Sequence, residues 1–445
     1  MSKYRDPIHG FIEVNEWENE IINSKPFQRL RNIKQLAFTY LVYHGAEHSR
    51  FGHSIGVMHV ASRAFDAAVA NSLISSINNS EKNRAKVEWL RQILRFIALT
   101  HDLGHAPFSH ASESVFPKDK NGKAIKHEYF TEKIIEETII SDIINKAGKV
   151  FKTRYGDEFD ITPELICGIY SGKNPGKNSE FTFLNLFMDS ELDCDKMDYL
   201  LRDSYYCGVS YGNFDLDRLI NSLTIIKKEK TDAPGLAIKS GGTQAFEAFV
   251  LARYFMFVQV YFQHTRRYYD KALERALKAV LPKGYPKKTE EYLEYDDVKV
   301  ISLLKTRSKK PGEGSVDIEH ILNRKSYKNI LTTQAHPDPT EISWFNSSYE
   351  KLKIYFKTEK KLTDAQIEEI LFRDDADKYP HKINPQKFEI DEEEAVFIYD
   401  TDKKAQTTIA AKSKIISHLT EEIRIRRALL HRDYYDEKVK EIVKI

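Results

Sequence analysis

The stretch HDLGHAPFSH, His101 to His110, sets three histidines and an aspartate directly after the apolar run FIALT. Neutral imidazole and carboxylate are ligands for divalent transition metals. Imidazole also titrates near neutrality, so the same residues can carry a proton. Two other segments offer partners. HGAEHSRFGHSIGVMHV contains His44, His48, His53 and His59, and SELDCDKMDYLLRD contains Asp193, Asp195, Asp198 and Asp203. Adjacent side chains on a helix diverge by about 100°. His101 and Asp102 therefore converge on one ion only at a helix end cupped by other segments, and Gly104 and Pro107 break a helix at that point. Asp195 and Asp198 are three apart, so one can face a site while the other faces solvent. Each feature has an ordinary alternative: a chance His-Asp pair, a capping or core histidine, a charged helix face. The conjunction of an upstream histidine, the His-Asp pair and a downstream aspartate points to a metal centre.

The surrounding elements read as helices. VEWLRQILRFIAL from Val87 has one apolar face and leads into His101. TEKIIEETIISDIINKA from Thr131 has the same periodicity and reads as one helix. AFEAFVLARYFMFVQVYF from Ala245 is interrupted by Glu247 and Arg253, and reads as a buried helix rather than a bilayer span. LTIIKKEKTDAPGLAIKSGG from Leu223 reads as a β-hairpin. FPKDKNGK, SGKNPGKNSE and TRSKKPGEGS read as loops. Further on, KFEIDEEEAVFIYD from Lys387 suggests strands and SHLTEEIRIRRALLHR from Ser417 suggests a helix. The expected architecture is mainly α. A helical catalytic core with a small β-hairpin spans residues 1–285, and an α+β region over 286–445 serves oligomerisation or regulation.

Composition narrows the class. A chain of 445 residues with 41% hydrophobic and 30% charged residues is an ordinary globular protein, long enough for a large core. A net charge of +2 gives no overall field for nucleic acid or an anionic membrane. Cys167, Cys194 and Cys207 show no CxxC spacing, which fits a reducing compartment and argues against a disulfide framework or a cysteine zinc site. The start, MSKYRDPIHG, has no apolar signal-peptide core, so a cytoplasmic, membrane-free protein is expected.

The motifs YRDPIHGFIEV, PFQRLRNIKQL, HSRFGHSIGV, HDLGHAPFSH and DCDKMDYLLRD occur in the order found in HD phosphohydrolases. Over residues 4–275 the chain resembles the deoxynucleoside triphosphate triphosphohydrolases of that superfamily. The resemblance implies His53, His101, Asp102 and Asp195 as ligands of one divalent transition metal: manganese, iron, nickel or zinc. Where the family usually has an acidic residue before the first ligand, this chain has Gly52. The resemblance implies His105, His110 and His127 as catalytic histidines, with Glu113 orienting His127. Arg50, Lys196, His264 and Arg266 would meet phosphate, Gln35 and Asp203 the sugar 3′-hydroxyl, and Tyr199 and Tyr268 the sugar face. Leu36 would crowd the 2′ position. Magnesium would arrive with the substrate triphosphate.

That chemistry is physically coherent. Attack at phosphorus needs a nucleophile at neutral pH, and a metal lowers the pKa of water to supply it. A triphosphate needs cations around it, and the leaving oxygen needs a proton from a histidine. The products would be a deoxynucleoside and tripolyphosphate. Some relatives are activated by a nucleotide between subunits, through residues matching Gln28 and Arg31. The aspartate of that pattern is Asn23 here. A homo-oligomer, tetramer or dimer, is expected. Without the resemblance, Arg29 and Arg31 read as ordinary surface pairs. The alternatives are another nucleotide substrate, or nucleotide-gated binding of single-stranded nucleic acid, for which the basic run RIRRALLHR from Arg424 is the only local support. If Leu36 is the 2′ filter, Leu36→Gly raises turnover of ribonucleotides relative to deoxyribonucleotides. An unchanged ratio in a competition assay would place the filter elsewhere.

Overall fold

The computed structural model describes residues 2–119, 121–172, 176–229, 232–310, 312, 314–383 and 396–444. The chain opens with an antiparallel hairpin, β1 (Ser2–Asp6) and β2 (Gly10–Val14). Two helices then pack together at the centre, α1 (Arg50–Ala70) and α2 (Arg84–Thr100). On α2 the stripe Leu90, Ile93, Leu94 and Ile97 is buried, as its spacing requires. Arg95 on the same helix is buried too, and its guanidinium bonds the Glu18 carboxylate. Glu18 in turn closes a capping box with Asn15 at the start of helix Glu16–Asn23. A buried charge is thereby paired, which is what makes its burial tolerable.

The single helix expected from Thr131 is two, α3 (His127–Glu137) and α4 (Ile139–Tyr155). Thr138 between them is extended (φ −122°, ψ −179°), and its hydroxyl caps α4. After α5 (Cys194–Cys207) comes the expected hairpin, β3 (Leu223–Lys227) with β4 (Pro234–Lys239). The apolar segment from Ala245 forms α6 (Thr243–Met256), and Phe257–Tyr261 then widen into a π-helical turn. Such turns re-aim side chains and cluster at functional sites. Helices α7 (His264–Val280) and α8 (Asp297–Arg307) follow. Among the described residues no single helix is long and apolar enough to cross a membrane.

The C-terminal residues contribute to two sheets. One is β5 (Lys328–Thr332), β6 (Leu371–Lys378) and β9 (Ile423–Leu430), with β9 in the middle. In the other, β7 (Phe397–Asp400) lies parallel to β4 and pairs with β8 (Ala405–Thr408), so the hairpin becomes a four-stranded sheet. The strand expected from Lys387 is observed only from Phe397, because residues 384–395 lie outside the described residues. One hydrophobic core takes in residues on both sides of position 285, from Phe65 and Phe130 to Tyr292, Leu304 and Ile398. A second core, around Phe345, Leu352 and Phe356, lies beside the β5-β9-β6 sheet.

One expectation is overturned. The segment around Arg424 is not a helix but the central strand β9. Ile423 and Ile425 alternate inward, and the arginines between and beyond them meet an acidic strand. The register sets Arg427 opposite Asp374, Arg426 opposite Asp375, and Arg424 opposite Asp377. Arg427 is 2.9 Å from Asp374, and Arg426 is 2.6 Å from Asp377. Cross-strand charge pairing favours the strand over the helix. It also neutralises the basic run on which the nucleic-acid reading rested. Asp374 is buried and also holds Arg267 at 2.6 Å. Asp374→Ala is expected to destabilise the fold by about 3–5 kcal/mol, the cost of stranding a buried ion. Urea unfolding measures this, and a loss under about 1 kcal/mol would reduce the pair to an ordinary surface contact.

Candidate functional site

Three helix termini meet at one point. Asp193 is the N-cap of α5, accepting the Lys196 backbone N–H at 2.7 Å, and this sets Asp195 in the first turn. His53 lies in the first turn of α1, and His101 and Asp102 follow the last residue of α2. His53 Nε2 is 2.9 Å from Asp195 Oδ1 and 3.6 Å from Asp102 Oδ2. His101 Nε2 is 3.3 Å from Asp102 Oδ1 and 3.7 Å from Asp195 Oδ1. Both Nε2 atoms are buried and neither has a partner in hydrogen-bond geometry. Their other nitrogens are fixed. His101 Nδ1 donates to the Ala98 carbonyl at 2.8 Å, and His53 Nδ1 to Asp198 at 2.8 Å. Donation from Nδ1 leaves the lone pair on Nε2, aimed where the carboxylates converge. Burial opposes protonation of His53, yet Asp195 and Asp198 raise its pKa to about 10. The same carboxylates would favour a metal ion in place of that second proton, and only then is the Nε2 lone pair free to bind it. Ligand-type atoms of His53, His101 and Asp102 lie close enough together for a divalent metal ion, and Asp195 Oδ1 stands beside both imidazoles.

Asp198, which its spacing allowed to face solvent, is fully buried. Besides His53 it takes His9 at 2.7 Å and both arms of Arg202, at 2.8 and 2.9 Å. Burial pushes its carboxyl up, but Arg202, His53 and His9 hold it well below the usual carboxylate range. Arg202 reaches on to Asp6 of the hairpin at 2.9 Å. Gly56 makes the room: a Cβ there would stand 2.1 Å from Asp198 Oδ1. At Gly52 a Cβ would lie 3.4 Å from Arg202, whose charge is already matched by Asp6 and Asp198.

The remaining histidines line the following loop. His105 is buried, with Nε2 3.2 Å from Asp102 Oδ1, and its ring stacks on His127 at 3.9 Å. One Glu113 oxygen accepts from His110 Nδ1 at 2.8 Å and His127 Nδ1 at 3.0 Å. Both histidines thus keep Nε2 available. Burial opposes ionisation of Glu113, but these two bonds hold its pKa well below the ordinary value. His105, His110, Glu113 and His127 form a second group with ligand-type atoms close together. Gly104 lets α3 start against the loop, since a Cβ there would meet the His127 carbonyl at 2.1 Å.

The loop itself is strained. Phe108 and Ser109 are left-handed (φ +59° and +55°) without being glycine. Such residues persist only where their surroundings over-determine them. Asp297 of α8 accepts the Phe108 N–H at 2.7 Å and the Lys34 N–H at 2.9 Å. Ser109 Oγ donates to the Lys34 carbonyl and accepts from Arg50 Nε, each at 2.8 Å. Arg29 is buried, not a surface residue: it bonds the carbonyls of Leu103, His105 and Tyr295. Arg50 also pairs with Asp102.

A cavity of about 570 Å³ opens over these groups. Gln35, Leu36, Arg50, His101, Asp102, His105, His110, His127, Asp195, Lys196, Tyr199, Asp203 and Arg266 all line it. His53 and Glu113 stand behind the wall. Asp203 is held by His48 and Tyr261, each at 2.7 Å. Burial raises the Tyr199 phenol to about 12, so it stays a neutral donor.

Tyr268 is not at the cavity. It is buried against Tyr327, with ring centroids 4.6 Å apart, and its hydroxyl meets His320. Two residues beyond Arg266 on α7, it is turned about 200° from it. His264 also lies off the cavity wall, half-buried, with burial and the Arg427 charge lowering its pKa. Gln28 and Arg31 sit outside the cavity. They bond each other at 2.8 Å, with Arg31 lying over the Phe51 ring. The cavity adds residues that spacing did not select: Arg253, Tyr261, Lys378 and Lys382. For Arg253 a signal existed, a charge inside an otherwise apolar helix. Tyr261 is turned inward by the π-helical turn, and the two lysines come from the far end of β6 and just beyond it.

Residues 50–153 match the HD domain family and residues 214–356 its HD associated region. The chain belongs to the HD-domain family. It is 36% identical over 281 residues to the uncharacterized protein YwfO of Bacillus subtilis, covering 62% of this chain and 54% of that one. It is 35% identical over 207 residues to the deoxynucleoside triphosphate triphosphohydrolase SAMHD1 homolog of Dictyostelium discoideum, covering 46% of this chain and 36% of the relative. The chain thus spans about half or less of the length of these curated relatives. The crystal structure of a hypothetical protein from Aquifex aeolicus superposes with a TM-score of 0.76 at 30% identity, over the whole of both chains.

If Asp198 orients His53 as a ligand, Asp198→Asn lowers metal affinity by about 10–100-fold. Chelator competition measures this on folded protein without any turnover. Unchanged affinity would refute the orienting role of Asp198.

Proposed function

We propose that this HD-domain protein hydrolyses deoxynucleoside triphosphates at the α-phosphorus, releasing deoxynucleoside and tripolyphosphate. The observation that carries the reading is the convergence of three kinds of group on one cavity: the His-Asp cluster, the Glu113-linked histidines and a set of cations. A divalent transition ion held by His53, His101, Asp102 and Asp195 would supply Lewis acidity and lower the pKa of water. Arg50 is preset by Asp102 and Ser109 to meet phosphate oxygens beside that cluster. Lys196, Arg253 and Arg266 add charge along the cavity, and preset cations favour a polyanion that gains charge in the transition state.

Glu113 holds His110 and His127 by Nδ1, so either ring, once it has taken up a proton at Nε2, would give that proton to the leaving 5′-oxygen. His105 sits between them and Asp102 and fixes the phosphate position. Gln35 and Asp203 would take the 3′-hydroxyl, Leu36 would fill the 2′ position, and Tyr199 and Tyr261 would flank the sugar. Magnesium would enter with the triphosphate. Gln28 and Arg31 are our candidates for nucleotide activation in a homo-oligomer.

The test is product analysis. The protein is incubated with each dNTP and manganese or magnesium, with and without the other nucleotides, and products are resolved by ion-pair chromatography. Deoxynucleoside and tripolyphosphate are expected, and His101→Ala with Asp102→Ala should abolish them. Mono- or diphosphate products, or turnover surviving that double substitution, would overturn the proposal.

A further inference from the structure

One end of the cavity gathers four cationic side chains, Lys196, Arg253, Lys378 and Lys382, the last two with no ion-pair partner among the described residues. Lys196 there is bound to Asp193 and to the Ser190 carbonyl. Arg253 is buried, hydrogen-bonds the Pro380 carbonyl and stands 3.7 Å from Glu191, yet its Nε has no partner. Two further lysines arrive from the C-terminal residues. Lys378 ends strand β6, and its ammonium stands 5.5 Å from the Phe257 ring centroid. Lys382 is four residues on, its backbone N–H fixed by Glu191 at 3.0 Å. Among the described residues neither ammonium has an ion-pair partner. Lys378 is exposed, and partial desolvation and then the charges of Arg253, Lys196 and Lys382 draw its pKa down against the opposing Glu191. The bond from Arg253 to Pro380 and the bond from Lys382 to Glu191 tie this segment to α6 and to the approach to α5. Like charges gathered and fastened on a cavity wall, with one buried donor unused, are the arrangement of a polyanion site.

We propose that Lys378 and Lys382, with Lys196 and Arg253, form a subsite for the terminal phosphates, so that the C-terminal sheet makes the site prefer a triphosphate chain to a shorter one. This rests on the phosphohydrolase reading of the cavity but not on turnover, because the subsite would bind inorganic tripolyphosphate directly.

The experiment is calorimetric titration of the full chain with tripolyphosphate, pyrophosphate and orthophosphate. The wild type is compared with the double variants Lys378→Gln/Lys382→Gln and Lys378→Arg/Lys382→Arg. Each lysine is expected to contribute on the order of tenfold in tripolyphosphate affinity, and the Gln pair on the order of 100-fold. Orthophosphate affinity should stay unchanged, and the Arg pair should retain tripolyphosphate binding. If the double Gln variant fails to fold, Lys382→Gln alone, at an exposed side chain, carries the same test at about tenfold. Equal loss for all three anions, or no loss for tripolyphosphate, overturns the subsite. A wild type that binds tripolyphosphate in this graded way but turns over no dNTP supports the subsite and contradicts the proposed reaction. A dNTP-hydrolysing wild type whose Gln variant keeps full affinity refutes the subsite alone.

Discussion

The buried charge chain from His53 through Asp198 and Arg202 to Asp6 is the constraint on which the rest of the site depends. None of these groups could be buried alone, because an unpaired ion in the core costs several kcal/mol. Together they are satisfied, and the result is an imidazole locked in one tautomer with its lone pair directed at the next carboxylates. The chain also fixes geometry over long sequence distances. It fastens the N-terminal hairpin to α5, and α5 to α1, and it needs the glycine at position 56 for their close approach. Packing at the centre of the fold and ligand orientation are therefore one requirement.

A second constraint acts on the loop after α2. Two consecutive left-handed residues place His105 and His110 beside the His-Asp cluster, and that backbone is held from outside. Asp297 and Tyr292 bond Phe108 and Gly104, while Arg29 spans from that loop to Tyr295. The residues after position 285 thus shape the histidine loop, and through Lys378 and Lys382 they also complete the cavity wall. Burial raises the Asp297 carboxyl to about 7 against its two backbone bonds. Its folded pKa lies above the unfolded value, so its contribution to stability is fully present below about 3.8 and is lost as pH rises through about 7.

Much of this was legible in the residues, for physical reasons that can be named. Helix α2 announced itself by apolar periodicity, and the His-Asp pair at its end by the breakers that follow. The four candidate ligands, three histidines and Glu113 share one neighbourhood because motif order fixes which helix ends meet. Other features were not legible. The strand β9 was hidden because RIRRALL satisfies helical periodicity as well as strand alternation, and only Asp374, Asp375 and Asp377, about 50 residues earlier, decide between them. Tyr268, which the resemblance implied, lies off the cavity and Tyr261 lines it, a difference local sequence hides because a π-helical turn at Phe257–Tyr261 shifts the phase of the side chains after it. Asp198 and Arg29 looked like surface charges because local sequence does not show which charge has a buried partner far along the chain.

Two clusters of ligand-type atoms lie side by side, so the central claim is spatial: the metal belongs to the first, and the Glu113-linked histidines handle the proton. In the second cluster Glu113 already engages Nδ1 of both His110 and His127. The most direct measurement is anomalous diffraction at the manganese edge from crystals of the protein grown with manganese. One peak is expected, bounded by His53 Nε2, His101 Nε2, Asp102 and Asp195. A peak among His105, His110, Glu113 and His127 instead, or no peak at either cluster, would contradict it.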